Sequence, residues 1–400
     1  MTLTGAWQET VFGYVPAEWN YEPLEEFFEL ITYGFTNPMP TVSAGPYMLT
    51  AKDIFNGKVQ YATARRTTVD AYQNRITDKS RPRINDVLIT KDGSIGRVAI
   101  VDRQDICISQ SVALIRPNSR IDPTFLKYLL EADQYQQLID IDATGSTIQH
   151  IYITKINKMG IAVPAMQEQK TIAAVLNNID NKIDLLNRQN KTLEAMAETL
   201  FRQWFVADAQ VGWDERPLSS IANFLNGLAC QKFPPTNDLE KLPVLKIREL
   251  SSGISETADW ATSQVKPEYI VEAGDVIFAW SASLMVKVWD GEKCVLNQHL
   301  FKVTSSEFPK WFYLMWCKHH LVEFIAVAAS QATTMGHIKR GDLDAAMVLV
   351  PPPAVLETMS KQMQPLLDKQ MAIARQRKTL EKLRDTLLSK LMSGEVRVTY

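Results

Sequence analysis

Between Thr50 and Arg83 the chain carries eight basic side chains, Lys52, Lys58, Arg65, Arg66, Arg75, Lys79, Arg81 and Arg83, against three acidic ones, Asp53, Asp70 and Asp78. Tyr61 and Tyr72 are interleaved among them. Cations spaced along a segment with aromatic rings between them are suited to tracking a phosphate backbone; the plainer reading is a solvated basic loop. The whole protein carries a net charge of −2 and a pI near 6.3, so any basic surface is local. The second half repeats the theme more sparsely, with Lys246, Arg248, Lys266 and Lys287, then Lys339 and Arg340, and with Trp280 and Trp289 nearby.

Residues for catalysis are harder to find. No GxxxxGK[ST] phosphate loop, HExxH zinc site, strand-following GxGxxG or GxSxG elbow is present. His319 and His320 are adjacent on a predicted helix, where neighbours point in different directions, so a solvated helix surface is preferred over a metal site. Asn37-Pro38-Met39-Pro40 loosely resembles an adenine-methyltransferase motif but lacks its aromatic and a glycine-rich loop upstream, and reads as a proline turn. Asp86 and Lys91 could be arranged as a nuclease pair, yet only the aspartate has a later counterpart, Asp275, which favours a strand-entry role. The four cysteines form no CxxC pair and fit a reducing compartment. No stretch reaches the roughly 18 apolar residues of a membrane span, and no signal-peptide pattern opens the chain, so a cytoplasmic protein is expected.

The elements that must position these residues come in two copies. Arg188-Gln189-Asn190-Lys191-Thr192-Leu193-Glu194 returns 187 residues later as Arg375-Gln376-Arg377-Lys378-Thr379-Leu380-Glu381, with six of seven positions identical. His150-Ile151 answers to His337-Ile338 and Pro164 to Pro351 at the same spacing; Gln110 pairs with Gln298, Asp86 with Asp275, Lys52-Asp53-Ile54 with Arg248-Glu249-Leu250, and Trp19 with Trp213. The order never crosses, which marks an internal duplication rather than a short-period solenoid. In each copy, short apolar runs bounded by turn residues predict strands, such as 86–90, 97–101, 275–279 and 299–303, and Asp122-Pro123 opens a helix. A single helix is expected over about 309–327 in the second copy. After each head a long helical segment begins, with apolar residues at steps of three and four: Ile172, Leu176, Ile179, Ile183, Leu186, Leu193 and Leu200, then Leu366, Ile373, Leu380 and Leu387. That is the seam of a coiled coil, and roughly 40 residues make a rod of about 60 Å. Asn190 and Arg377 place a polar residue at the same seam position. The fold class is therefore α+β, a pseudo-repeat of two strand-rich heads and two long helices packed antiparallel within one chain, in preference to a dimerisation coiled coil. The expected division is 1–163 for an arm and first head, 164–206 for a central helix, 207–350 for a second head, and 351–400 for a last helix and tail.

Two diverged heads, each followed by a repeated helix of the form Gln167-Glu168-Gln169-Lys170…Leu176-Asn177-Asn178-Ile179-Asp180…Ile183-Asp184…Leu193, resemble the DNA-specificity subunit of type I restriction–modification systems. The ending Leu391-Met392-Ser393-Gly394-Glu395 is similar as well, as are Lys52–Gly57 and Thr144–Thr147 more moderately. The resemblance implies that each head is a target-recognition domain reading half of a bipartite double-stranded DNA site. It implies that the helices set the spacer and dock two methyltransferase subunits, with restriction subunits as further partners. The chain would hold no cofactor itself: S-adenosylmethionine would serve the modification partner, and ATP with Mg²⁺ the restriction partner. Candidate DNA contacts are then Lys52, Arg65, Arg66, Arg75, Lys79, Arg81 and Arg83, with Thr144 and Ser146, in the first head; in the second they are Lys246, Arg248, Lys287, Lys339 and Arg340. A non-catalytic scaffold with two protein-binding heads is the alternative, and a self-contained nuclease or methyltransferase finds no residues.

Overall fold

The computed structural model describes residues 6–142, 151–330 and 336–398. Thr144 and Ser146 lie outside the described residues. The chain divides into two compact units, Met1–Asp184 with Thr379–Tyr400, and Leu185–Lys378. Each unit thus holds a head together with part of both long helices.

Each head is built around one four-stranded antiparallel sheet. In the first unit the order is Val98–Ile100, Val87–Thr90, Val112–Pro117, Phe28–Tyr33. In the second it is Met285–Val288, Val276–Ala279, Leu300–Thr304, Asn223–Asn226. The central strands are mostly apolar because both faces are covered, with Lys302 the exception inside Leu300–Thr304, and the period of two sends alternate side chains to different cores. Val87 and Ile89 join the large core under the helix Pro123–Glu131, while Leu88 faces a smaller one with Leu49, Ile54 and Ile106. Val276 and Phe278 likewise pack with Trp311 and Phe312, while Ile277 and Ala279 face Leu245, Trp289 and Leu296.

Asp86 and Asp275 stand at the entry of corresponding strands, as the sequence suggests. Asp86 is buried, accepts Arg83 N–H at 2.8 Å and takes both Arg116 Nε and Nη2 at 3.0 and 2.8 Å. Asp275 accepts Glu272 N–H at 2.9 Å and pairs with Lys302 at 2.8 Å. The Asn37–Pro40 turn places Met39 against Met48, Ile76 and Cys107, which is packing rather than a cofactor motif.

In both heads a last strand returns to the first. Gly160–Val163 pairs with Asn20–Pro23, and Met347–Val350 with Asp214–Pro217. The helices Met166–Arg202 and Pro353–Met392 follow directly, the second with Pro353 at its first turn, where no amide hydrogen is needed. Within the first unit Ile172 and Leu176 share a core with Leu391 and Met392, and Arg384 Nη1 donates to Asp180 at 3.3 Å. Within the second, Phe201 shares a core with Met359 and Met363, and Leu193 faces Ile373. Low numbers of one helix meet high numbers of the other in both units, so the two run antiparallel. The polar seam residues differ in partner: Arg377 reaches Asp290 at 2.8 Å, whereas the buried Asn190 Oδ1 accepts no hydrogen bond among the described residues.

One expected helix is two. Lys310–His319 and Leu321–Ser330 are separated at His320, which is buried, with Nδ1 2.8 Å from Glu323 Oε2 and Nε2 2.9 Å from Met347 O. The imidazole bridges head core and return strand instead of facing solvent.

Candidate nucleic-acid interface

The basic stretch of the first head sorts into two kinds of cation. Arg65 and Arg66 form a short strand on the edge of Val42–Leu49. Arg65 points out, while the Arg66 guanidinium donates to Tyr47 Oη and lies 4.1 Å from its ring centroid. Arg103 approaches the same ring at 4.6 Å and Tyr61 at 5.1 Å, and Tyr61 Oη donates to Asp102 at 2.5 Å. Burial and the adjacent Asp102 carboxylate push the Tyr61 phenol well up, so it stays a neutral donor. Two arginines on two tyrosine faces make a cationic, aromatic patch able to take phosphates and stack on planar groups. Lys52, Arg75, Lys79 and Arg83 are exposed around the same head. Arg81 is of the second kind: it donates to Tyr72 O at 3.0 Å, Gln73 O at 2.7 Å and Ile76 O at 2.8 Å, and pairs with Asp78 at 2.8 Å. Its fork closes a loop, so it is a structural residue rather than a free phosphate contact.

In the second head the candidates are not brought together. Lys246, paired with Asp259, and Arg248 line one notch of about 340 Å³ with Gln231, Asn297, Gln298 and His299. Arg248 also clamps the buried Glu249 at 2.7 Å. Lys287 lies in a different hollow beside the long helices, bonded to Leu250 O at 3.3 Å and 3.6 Å from Asp290. Arg340 lines a third, and Lys339 caps the helix Arg340–Ala345. Trp289 is fully buried and donates to Glu292 O at 2.8 Å; Trp280 is half-exposed and reaches Asn226 Oδ1 at 3.1 Å.

Sequence reasoning passed over Tyr47, Arg103 and the amide-rich turn around Gln298. The turn could have been found by extending the Gln110–Gln298 match outward. Among the described residues no three His, Cys, Asp or Glu side chains converge as metal ligands. Burial pushes the thiols of Cys107 and Cys294 up to about 12 and of Cys230 to about 11, far from the thiolate a nucleophile needs. Among the described residues no helix is long and apolar enough to cross a membrane.

Known proteins resemble this chain over most of its length. The family model described as type I restriction modification DNA specificity domain matches residues 16–195 and again 210–382. The chain is similar to the MjaIX type I restriction enzyme specificity subunit of Methanocaldococcus jannaschii, 25% identical over 427 residues and spanning 98% of this chain and 96% of that one. A putative MjaX specificity subunit of the same organism is 23% identical over 422 residues, with 98% and 96% covered. Among solved structures, the type I restriction–modification S subunit from M. genitalium shares the fold with a TM-score of 0.57 at 18% identity, covering 93% of this chain and 96% of that one.

Proposed function

The chain belongs to the type I restriction–modification DNA specificity family, and from that premise we propose that each head reads one half of a two-part DNA site. The observation that carries this is the duplication itself: two heads with one sheet order and unlike surface chemistry. Like scaffolds with unlike side chains suit two readings made in one way. The long helices act as the ruler between half-sites and as the docking surface for methyltransferase subunits, with restriction subunits joining the assembly. The exposed cations of the first head and the Lys246–Arg248 edge of the second position phosphates, and base edges supply specificity. The chain is not itself an enzyme. Adenine N6 methylation with S-adenosylmethionine belongs to the modification partner, and ATP- and Mg²⁺-dependent work to the restriction partner. A cytoplasmic location accords with that role.

The test is co-expression of this chain with its modification partner in an unmethylated host, followed by genome-wide mapping of N6-methyladenine. A two-part motif with an unspecified spacer, present only with this chain, is expected. Methylation that ignores the chain would overturn the reading.

A further inference from the structure

Both heads hold a glutamine in one and the same backbone turn. In the first, Gln110 N donates to Phe35 O at 2.9 Å, Ser109 N to Leu49 O at 2.9 Å, and Phe35 N to Ile108 O at 3.0 Å. In the second, Gln298 N donates to Leu228 O at 2.8 Å, Asn297 N to Leu245 O at 3.2 Å, and Leu228 N to Leu296 O at 2.9 Å. A glycine precedes each partner, and neither can be replaced without moving main chain. A Cβ on Gly34 would lie 1.7 Å from Ile108 O, and one on Gly227 2.3 Å from Asn297 O. The main chain of each turn is held by these bonds without using the glutamine side chain. Gln110 is exposed and its amide makes no hydrogen bond among the described residues, while the Gln298 amide meets only the His299 ring, at 3.4 Å.

What surrounds the two glutamines differs. Ile151 N donates to Lys91 O at 3.0 Å and Ile338 N to Trp280 O at 3.0 Å, which makes Lys91 and Trp280 equivalent positions. Asp92 then answers to Ser281, and Ser111 to His299. The first turn is flanked by a buried lysine 3.2 Å from a carboxylate, the second by an indole 6.0 Å from an imidazole that Ser281 approaches at 3.3 Å.

We propose that Gln110 and Gln298 each read an adenine in their own half-site, and that the unlike neighbours make the two half-sites differ. An amide presents an acceptor beside a donor, the pattern that matches the amino group and N7 of adenine in the major groove. Lys246 and Arg248 on the rim of the second notch supply the phosphate contacts such a reader needs. The inference rests on the heads binding DNA.

The experiment maps methylation by the complex carrying Gln298→Glu, and separately Gln110→Glu. A carboxylate accepts from the cytosine amino group but cannot donate to adenine N7. Each variant is expected to change one position of one half-site from adenine to cytosine, with a preference of roughly tenfold or more, leaving the other half and the spacer intact. Gln298→Ala should make the same position degenerate. A motif that stays unchanged in all three variants, or occupancy that falls equally on every sequence, overturns the assignment. Absence of any two-part motif with the unaltered chain would instead overturn the half-site reading itself. The two glutamines lie in separate heads, so poor folding of one variant leaves the other as the test.

Discussion

Arg65 and Arg81 belong to one basic stretch, yet the fold gives them opposite employment. Arg65 is exposed on an edge strand, while Arg81 holds three carbonyls and Asp78. Replacing Arg65 with alanine should weaken DNA binding on all sequences alike and lower the salt slope of log K by about 0.9, the share of one phosphate. A slope unchanged in a salt titration would remove Arg65 from the interface. Charge runs are legible in a sequence; which member of a run is free is not, because carbonyls that claim a guanidinium come from loop conformation. Burial likewise assigns charge in ways composition hides. Glu131 lies beside Lys127 at 3.0 Å, with Asp180 also within 3.5 Å of that ammonium. Burial pushes its carboxyl up, with Lys127 pulling part of the way back. A carboxyl whose folded pKa is raised contributes stability below its unfolded value, about 4.3, and loses it as pH rises through the folded one. Glu131→Gln should therefore match the parent in stability near pH 4 and exceed it at neutral pH. Urea unfolding at the two pH values checks this, and equal curves at neutral pH would refute it.

At the scale of elements, what could be read in advance follows from periodicity. Strands buried on both faces announce themselves as apolar runs, and five of the seam residues, Ile172, Leu176, Ile183, Leu186 and Ile373, are buried, while Ile179, Leu193, Leu200, Leu366, Leu380 and Leu387 are only partly so. Their spacing records the helix period whatever the partner. The parallel pairings were not legible, since Ile106–Ile108 on Val42–Leu49 and Cys294–Leu296 on Lys241–Leu245 join segments far apart in sequence. Nor was the break at His320, which has no proline or glycine and is held by a local bond to Glu323 and a long-range one to Met347 O. The glycine beneath each glutamine turn was silent for a related reason: its need appears only once another strand is laid against it. Gly227→Ala forces a methyl group into the carbonyls of Leu296 and Asn297 at 2.6 and 2.3 Å, and main chain cannot yield as a side-chain tip can. A loss of roughly 3 kcal/mol or more is expected, at the upper end of overpacking costs. A melting temperature within a degree or two of the parent would show that the turn can shift, and would weaken the case that the turn is built to hold Gln298.

For the molecule as a whole, duplication produced two large cores, one in each unit, with smaller ones beside them. The first joins the sheet and helix of its head to Ile172, Leu176, Leu391 and Met392; the second joins its own head to Phe201, Met359, Met363 and Leu367. Both long helices therefore contribute to both cores, yet each core is closed within its own unit. Trp311 is central to the second: it is 1% exposed, packs on Phe312 and Trp204, and donates to Ser360 Oγ at 2.9 Å. Truncating it to alanine should cost about 3–5 kcal/mol, the range for a large aromatic removed from a packed interior. That loss should be local. Hydrogen exchange is expected to show protection falling across 185–378 while 1–184 and 379–400 keep theirs, since opening of one cooperative unit need not open its neighbour. If protection falls to the same degree in both, the helices couple the cores into one folding unit. A purely local loss has a functional consequence under the half-site reading: DNA carrying only the first head's half-site should still be bound by the variant, with affinity for the complete site reduced to that of the half.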